Sequence, residues 1–200
     1  MNQAVSRRTF MMAGAALAGL PLAGCGLGSK VSFNGTDVTG ADYGRDFRLT
    51  DPHGQEHTLA DFKGKVVLVF FGFTQCPDVC PTALARASEV KQLLGTDGDR
   101  LQVLFISVDP ERDTPEILNA YTAAFDPTFL ALYGDAERLA ETAKEFRVIY
   151  QKMPTGSSYT MDHTAVTYAY DPQGRLRLKL MHNQTSLEVA ADVRKLLHAA

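Results

Sequence analysis

An α/β fold is what this sequence predicts, and two observations carry the prediction. A continuous apolar run, Val66–Phe71, and a second mostly apolar one, Leu101–Val108, enclose a segment whose apolar residues recur at helical spacing. Runs without polar alternation are the pattern of strands buried on both faces, as parallel strands are when helices cover them. A strand–helix–strand unit then implies a parallel pair joined by a right-handed crossover.

Taken in order, Phe47–Thr50 and Glu56–Leu59 flank Asp51-Pro52-His53-Gly54, whose turn residues predict a hairpin. The run Val66–Phe71 stops at Gly72, and a loop with two cysteines follows at once. Leu84, Ala87, Val90 or Lys91, and Leu94 predict a helix closed by Gly95. Beyond Leu101–Val108, Pro115 stands where a first helical turn tolerates proline, and Ile117, Leu118, Tyr121 and Phe125 are expected to form one apolar stripe. Leu139, Ala143 and Phe146 mark a third helix. Thr164–Tyr170 and Leu176–Met181 alternate as strands about the turn Asp171-Pro172-Gln173-Gly174. A last helix is expected to turn Leu187, Ala190, Val193 and Leu197 to the core. Hairpin, βαβ, helices and ββα is the order of a thioredoxin-like fold with an N-terminal β-hairpin extension, predicted over residues 43–200. In open α/β sheets, sites lie beyond the carboxyl ends of the strands, and Cys76 falls there.

Composition narrows the function classes. The chain has 200 residues, 45% apolar and 22% charged, an ordinary globular balance. Its net charge of −3 offers no basic stripe for nucleic acid. The N-terminus reads differently. Ser6-Arg7-Arg8-Thr9-Phe10 is a twin-arginine signature, and the apolar run Met11–Leu22 is shorter than the ~20 residues a bilayer span needs. That length suits a signal-peptide core. Leu22-Ala23-Gly24-Cys25 then resembles the lipobox of bacterial lipoproteins, whose cysteine is lipidated. Residues 1–24 are therefore expected to be an export signal, Cys25 a lipid anchor, and residues 25–42 a polar, Gly-rich tether. The domain would sit on the periplasmic side of the bacterial cell membrane. The plainer alternative is a cleavable signal with an incidental Cys25.

Three cysteines leave one over in an exported protein. With Cys25 set aside, the remainder is a single pair, Cys76 and Cys80. The segment Cys76-Pro77-Asp78-Val79-Cys80-Pro81 puts these thiols at a strand-to-helix junction, where the helix dipole favours thiolates. Thiolates bind metal or attack disulfides, and both readings stand at this point. On a helix, residues four apart have Cβ atoms ~5–6 Å apart, wider than a disulfide prefers, which favours metal modestly. The next clue is Asp162-His163-Thr164, just before the strand ending at Tyr170. Thioredoxins carry a cis-proline there; here the nearest proline is Pro154, and a histidine occupies the position facing the cysteines. Two thiolates and one imidazole suit Cu(I), whereas Zn(II) would want a fourth ligand. His53, His57, His182 and His198 have no such context. Asp162 is expected either to orient His163 through a hydrogen bond or to make a local turn contact.

The segments Phe71–Thr82, Val108–Pro115 and Asp162–Ala165 together resemble the Sco/SenC family of copper proteins, in order and spacing, from about Phe47 onward. The resemblance implies a thioredoxin fold and Cu(I) or Cu(II) held by Cys76, Cys80 and His163. It also implies a role in assembling the copper centre of cytochrome c oxidase, with a copper-accepting oxidase subunit as partner. The competing reading is a dedicated thiol–disulfide oxidoreductase using Cys76 and Cys80. Phe70, Phe71 and Phe73 are expected either to shield the metal or simply to fill the core. Asp109 and Asp113 are weighed as part of a partner-facing loop, with Asp113 or Thr114 as a helix cap the plainer expectation.

Overall fold

The computed structural model describes residues 31–198; the predicted export signal, Cys25 and the start of the tether lie outside the described residues. In chain order the elements are β1 (Thr36–Asp37), the hairpin β2 (Leu49–Thr50) and β3 (Glu56–His57), β4 (Val66–Gly72), α1 (Val79–Leu94) and β5 (Leu101–Ser107). Next come α2 (Pro115–Ala123), β6 (Leu130–Leu132), α3 (Ala136–Glu145), the hairpin β7 (Tyr150–Thr155) and β8 (Ser158–His163), then β9 (Val166–Tyr170), β10 (Leu176–Met181) and α4 (Ser186–His198). No described helix is long and apolar enough to cross a membrane.

The main sheet runs β1-β10-β9-β4-β5-β6. Strands β4, β5 and β6 are parallel, while β9, β10 and β1 add antiparallel neighbours on the other side. Every residue of β4 and of β5 is buried: β4 is an unbroken apolar run, and β5 an apolar stretch that also buries Gln102 and Ser107. Burying each large apolar side chain is worth roughly 1.5–3 kcal/mol, so this pair anchors the fold. The two faces of β4 have separate partners. Leu68 and Phe70 line one small cavity with Leu84, Ala87 and Val90 of α1 and Val189 of α4. Phe71 turns the other way, with its ring centroid 5.1 Å from Phe146, the residue that ends α3, and 6.4 Å from Tyr168.

Both predicted turns form: Gly54 N donates to Asp51 O at 3.0 Å, and Gly174 N to Asp171 O at 2.8 Å. Gly95 ends α1 with φ at 62°, a conformation open to glycine without a Cβ penalty. The parallel β4–β5 pair with its crossover helix, followed at the end by β9, β10 and α4, is the predicted thioredoxin-like arrangement, with β2–β3 as the predicted hairpin extension.

Four expectations need correction. The tether was expected to run to residue 42, but Thr36 and Asp37 pair with Lys179 and Leu178 at the sheet edge. The amides of Asn34 and Gly35 donate to the fully buried Asp192 carboxylate at 2.7–3.0 Å, so the domain already includes these residues. On α2, Ile117 is 45% exposed, and the core face is carried by Leu118 and Thr122, one turn apart, with the Thr122 hydroxyl donating back to Leu118 O. Phe125 lies just beyond the end of α2, and both it and Tyr121 pack against the core as expected. On α4, Leu187 is exposed, while Ala190, Val193 and Leu197 are buried as expected and Val189 and Leu196 join them. Strands β6, β7 and β8 had no counterpart in the sequence reading.

Candidate metal centre

The loop after β4 delivers Cys76 and Cys80 in different ways. Cys76 lies before α1, and its amide donates to Phe73 O at 3.2 Å, which turns the chain sharply. Cys80 is the second residue of α1 and has no solvent exposure. The pair is therefore not at i and i+4 of one helix, and the Cβ argument from helical spacing does not apply. The Cys80 amide, at the helix N-terminus, donates to Cys76 Sγ at 3.4 Å. The helix end thus reaches the Cys76 sulfur and not the Cys80 sulfur.

Burial outweighs the dipole at Cys80. Its thiol is pushed well above the ordinary range, first by burial and then by the hydrogen bond with Cys76, so the expected acidification does not hold there. A metal ion must displace this proton to gain the thiolate. His163 ends β8, and burial lowers its pKa against the opposing pull of the Thr164 carbonyl and the Asp162 charge, which favours the neutral imidazole a metal needs. Nδ1 sits 3.3 Å from Thr164 O, so an Nδ1–H donor there leaves Nε2 free, 3.7 Å from Cys80 Sγ. Asp162 is exposed, and among the described residues no hydrogen bond joins it to His163; it acts on the ring through charge alone.

The ligand atoms of Cys76, Cys80 and His163 all lie within 4.8 Å of one another. Metal arms of about 2.3 Å to sulfur and 2.0 Å to nitrogen, the lengths found at zinc, give trigonal edges of about 3.7–4.0 Å. The Cys80–His163 separation of 3.7 Å already matches such an edge. The donor set is soft, with two sulfurs and one imidazole and no carboxylate.

Phe70 and Phe73 flank His163, each ring edge-on to the imidazole at 6.0 and 5.9 Å, and both are almost fully buried. They exclude water from the histidine side. Phe71 points to the opposite face and takes no part. Gly72 is required by close approach: a Cβ there would stand 2.7 Å from Phe105 Cε2, 2.9 Å from Cys80 Sγ and 3.0 Å from Phe70 Cε1.

The loop after β5 braces the site from the other side. Asp113 and Asp109 are each only 2% exposed, so neither belongs to a partner-facing surface. The N-cap of α2 is Thr114, whose side chain accepts from Ile117 N. Asp113 instead accepts from Thr74 N, from the Thr74 hydroxyl at 2.6 Å and from the Ser107 hydroxyl at 2.6 Å, which fixes the loop two residues before Cys76. Arg112 ties the β7–β8 hairpin to the same loop. It pairs with Asp109, donates to Gln75 Oε1 at 3.1 Å and Tyr159 O at 2.8 Å, and lies 3.7 Å over the Tyr159 ring. Sequence reasoning missed Thr74, Ser107, Arg112 and Tyr159 as parts of the site. The signal available was a polar run that begins where a fully buried strand ends, at the same sheet edge as Cys76.

A family model described as SCO1/SenC matches residues 36–198. The SCO2-like protein of Rickettsia felis is 35% identical over 135 residues, covering 66% of each chain, so this chain spans just under two thirds of that relative's length. ScoI of Bradyrhizobium japonicum, solved with copper bound, is 44% identical, with a TM-score of 0.71 over 78% of this chain and 99% of that one. Yeast Sco1, also solved with copper bound, is 32% identical, with a TM-score of 0.69 over 77% of this chain and 86% of that one. The span matched by the family model runs from β1 to the end of α4.

Proposed function

The chain belongs to the SCO1/SenC family, and on that premise we propose that it takes up copper through Cys76, Cys80 and His163 and passes it to a copper-accepting subunit of cytochrome c oxidase. The observation that carries the reading is the three-atom cluster of two sulfurs and one imidazole nitrogen, already near trigonal spacing, beyond the carboxyl end of β4. Copper is the cargo. The soft donors favour Cu(I), and the imidazole lets the same set hold Cu(II). Cys76 and Cys80 supply charge, while His163 is the least buried of the three, so ligand exchange with a partner starts at the histidine. Cys25 serves as the lipid anchor that holds the domain on the periplasmic side of the membrane, beside a membrane-bound acceptor. Asp162 adds negative charge next to His163 and strengthens it as a donor.

The oxidoreductase reading is weaker on physical grounds. A thiol must be ionised and accessible to attack a disulfide, and Cys80 is buried with its pKa raised, so that chemistry would fall to Cys76 alone. Titration of reduced protein with Cu(I) against a competing chelator tests the copper reading. The wild type should take one copper tightly. Loss of a supporting hydrogen bond to a ligand costs about 10–100-fold in metal affinity, so His163→Ala, which removes the ligand itself, should cost more than about 100-fold. Unchanged affinity in His163→Ala would defeat the proposed ligand set.

A further inference from the structure

The hairpin that ends in His163 is tied to the body of the domain at one place. Strands β7 and β8 pair only with each other, and at their root Thr164 N donates to Ile149 O at 3.0 Å. Beyond that root, and apart from the contact of His163 with Cys80, every hydrogen bond from the hairpin to another part of the chain reaches the loop after β5, among the described residues. The Tyr159 hydroxyl donates to Asp109 Oδ1 at 2.8 Å, Lys152 Nζ to Glu111 at 2.7 Å, and Arg112 Nη1 to Tyr159 O at 2.8 Å. The Lys152–Glu111 pair is exposed on both sides and worth little in water. Arg112 is different. Its side chain is only 16% exposed, and its Nε donates to the buried Asp109 carboxylate. The Nη1 that reaches Tyr159 also donates to Gln75 Oε1 at 3.1 Å, one residue before Cys76. The guanidinium carbon stands 3.7 Å from the centre of the Tyr159 ring and 5.9 Å from that of Phe73, the ring that lies edge-on to His163.

Resting on the copper reading above, we propose that Arg112 is a positioning residue for the metal centre: a latch that joins the cysteine loop to the strand carrying His163 and so keeps the imidazole facing the two sulfurs. Tyr159 and His163 lie four residues apart on β8, so their side chains share a face and the strand passes the position of one to the other. At its other end the bridge meets Gln75, next to Cys76. Arginine suits the task because Nε and Nη1 are fixed in one plane and serve acceptors on three segments at once. A lysine ammonium is a single point charge on a flexible stem and cannot span them. The contact with the Tyr159 ring, largely shielded from water, tightens the clamp.

The test is Arg112→Met in the full chain, which keeps an apolar stem and removes the guanidinium. In the reduced, copper-free protein the β7 and β8 amides should exchange hydrogen faster than in the wild type, with those of β4 and β5 unchanged. Cu(I) affinity should fall about tenfold, the lower end of what losing a ligand-orienting partner costs. In a His163→Ala background the same substitution should cost under about threefold, because the residue being positioned is gone. The imidazole contribution to the copper X-ray absorption should weaken while both sulfurs stay. Unchanged affinity would overturn the proposal. Equal losses in the two backgrounds would also overturn it, since Arg112 would then support the fold or the cysteines and not His163. If the unpaired Asp109 keeps Arg112→Met from folding, Arg112→Lys retains that ion pair and loses the bridge, and the same comparison of backgrounds decides. A wild type that takes no copper overturns the copper reading before any variant is made, so the two failures are told apart.

Discussion

Replacing Gly72 with alanine is expected to cost both stability and copper. The added methyl would lie 2.7 Å from Phe105 Cε2, 2.9 Å from Cys80 Sγ and 3.0 Å from Phe70 Cε1. All three neighbours are at most 3% exposed and sit in the central packing between β4, β5 and α1, so none can swing aside into solvent. Overpacking of this kind costs about 1–3 kcal/mol. The relief available is for the Cys80 end of α1 to move outward, which carries its sulfur away from His163. Urea unfolding should show a lower midpoint with an unchanged slope, and the Cu(I) titration should show weakened or lost binding. Copper affinity equal to the wild type in a destabilised Gly72→Ala protein would mean that Cys80 does not need this position to bind metal.

The second large effect is expected at Asp113. Alanine there removes the acceptor of the fully buried Ser107 hydroxyl and of the half-buried Thr74 amide and hydroxyl. Unpaired buried donors cost about 1–3 kcal/mol each, so a loss of roughly 2–4 kcal/mol follows, with the loop before Cys76 released. Asp113→Asn keeps part of the acceptor and should lose less. The two forms also separate with pH. Burial raises the Asp113 pKa above the ordinary carboxylate range, against the hydrogen bonds from Ser107 and Thr74. A carboxyl with a raised folded pKa contributes stability that is full below its unfolded pKa and lost as pH rises through the folded value. The stability of the wild type relative to Asp113→Asn should therefore grow as pH falls from neutral toward the carboxylate range. Denaturant midpoints of the three proteins, measured from neutral to mildly acidic pH, check both the size and the sign.

What could be read in the sequence follows from the strength of each local signal. Strands β4 and β5 were legible because burial on both faces forces runs that are wholly apolar in β4 and mostly so in β5, and α1 because its apolar residues keep a 3.6 period. The three residues that the fold brings together, Cys76, Cys80 and His163, were legible from their motifs and from their place at the strand ends. The β7–β8 hairpin was not. It pairs only with itself, β7 exposes Gln151, Lys152 and Pro154 alike, and no alternation survives. Strand β6, with three residues, is too short to show any period. Ile117 and Leu187 misled because apolar character is only a tendency to be buried; helix phase decides, and it turns both outward. Asp113 next to a helix start looked like a cap, but the shorter path to a buried donor runs across to Thr74 and Ser107. Cys80 looked acidic by its place at a helix start, yet complete burial reverses the sign.

The central claim is that one copper ion is bound by two cysteine sulfurs and one histidine nitrogen of a single chain. X-ray absorption at the copper edge of the reduced, copper-loaded wild-type protein tests it most directly. The expected spectrum contains two sulfur scatterers and one imidazole nitrogen per copper, with the imidazole contribution lost in His163→Ala. A first shell of nitrogen and oxygen alone, or one unaltered by His163→Ala, would contradict the site built from Cys76, Cys80 and His163.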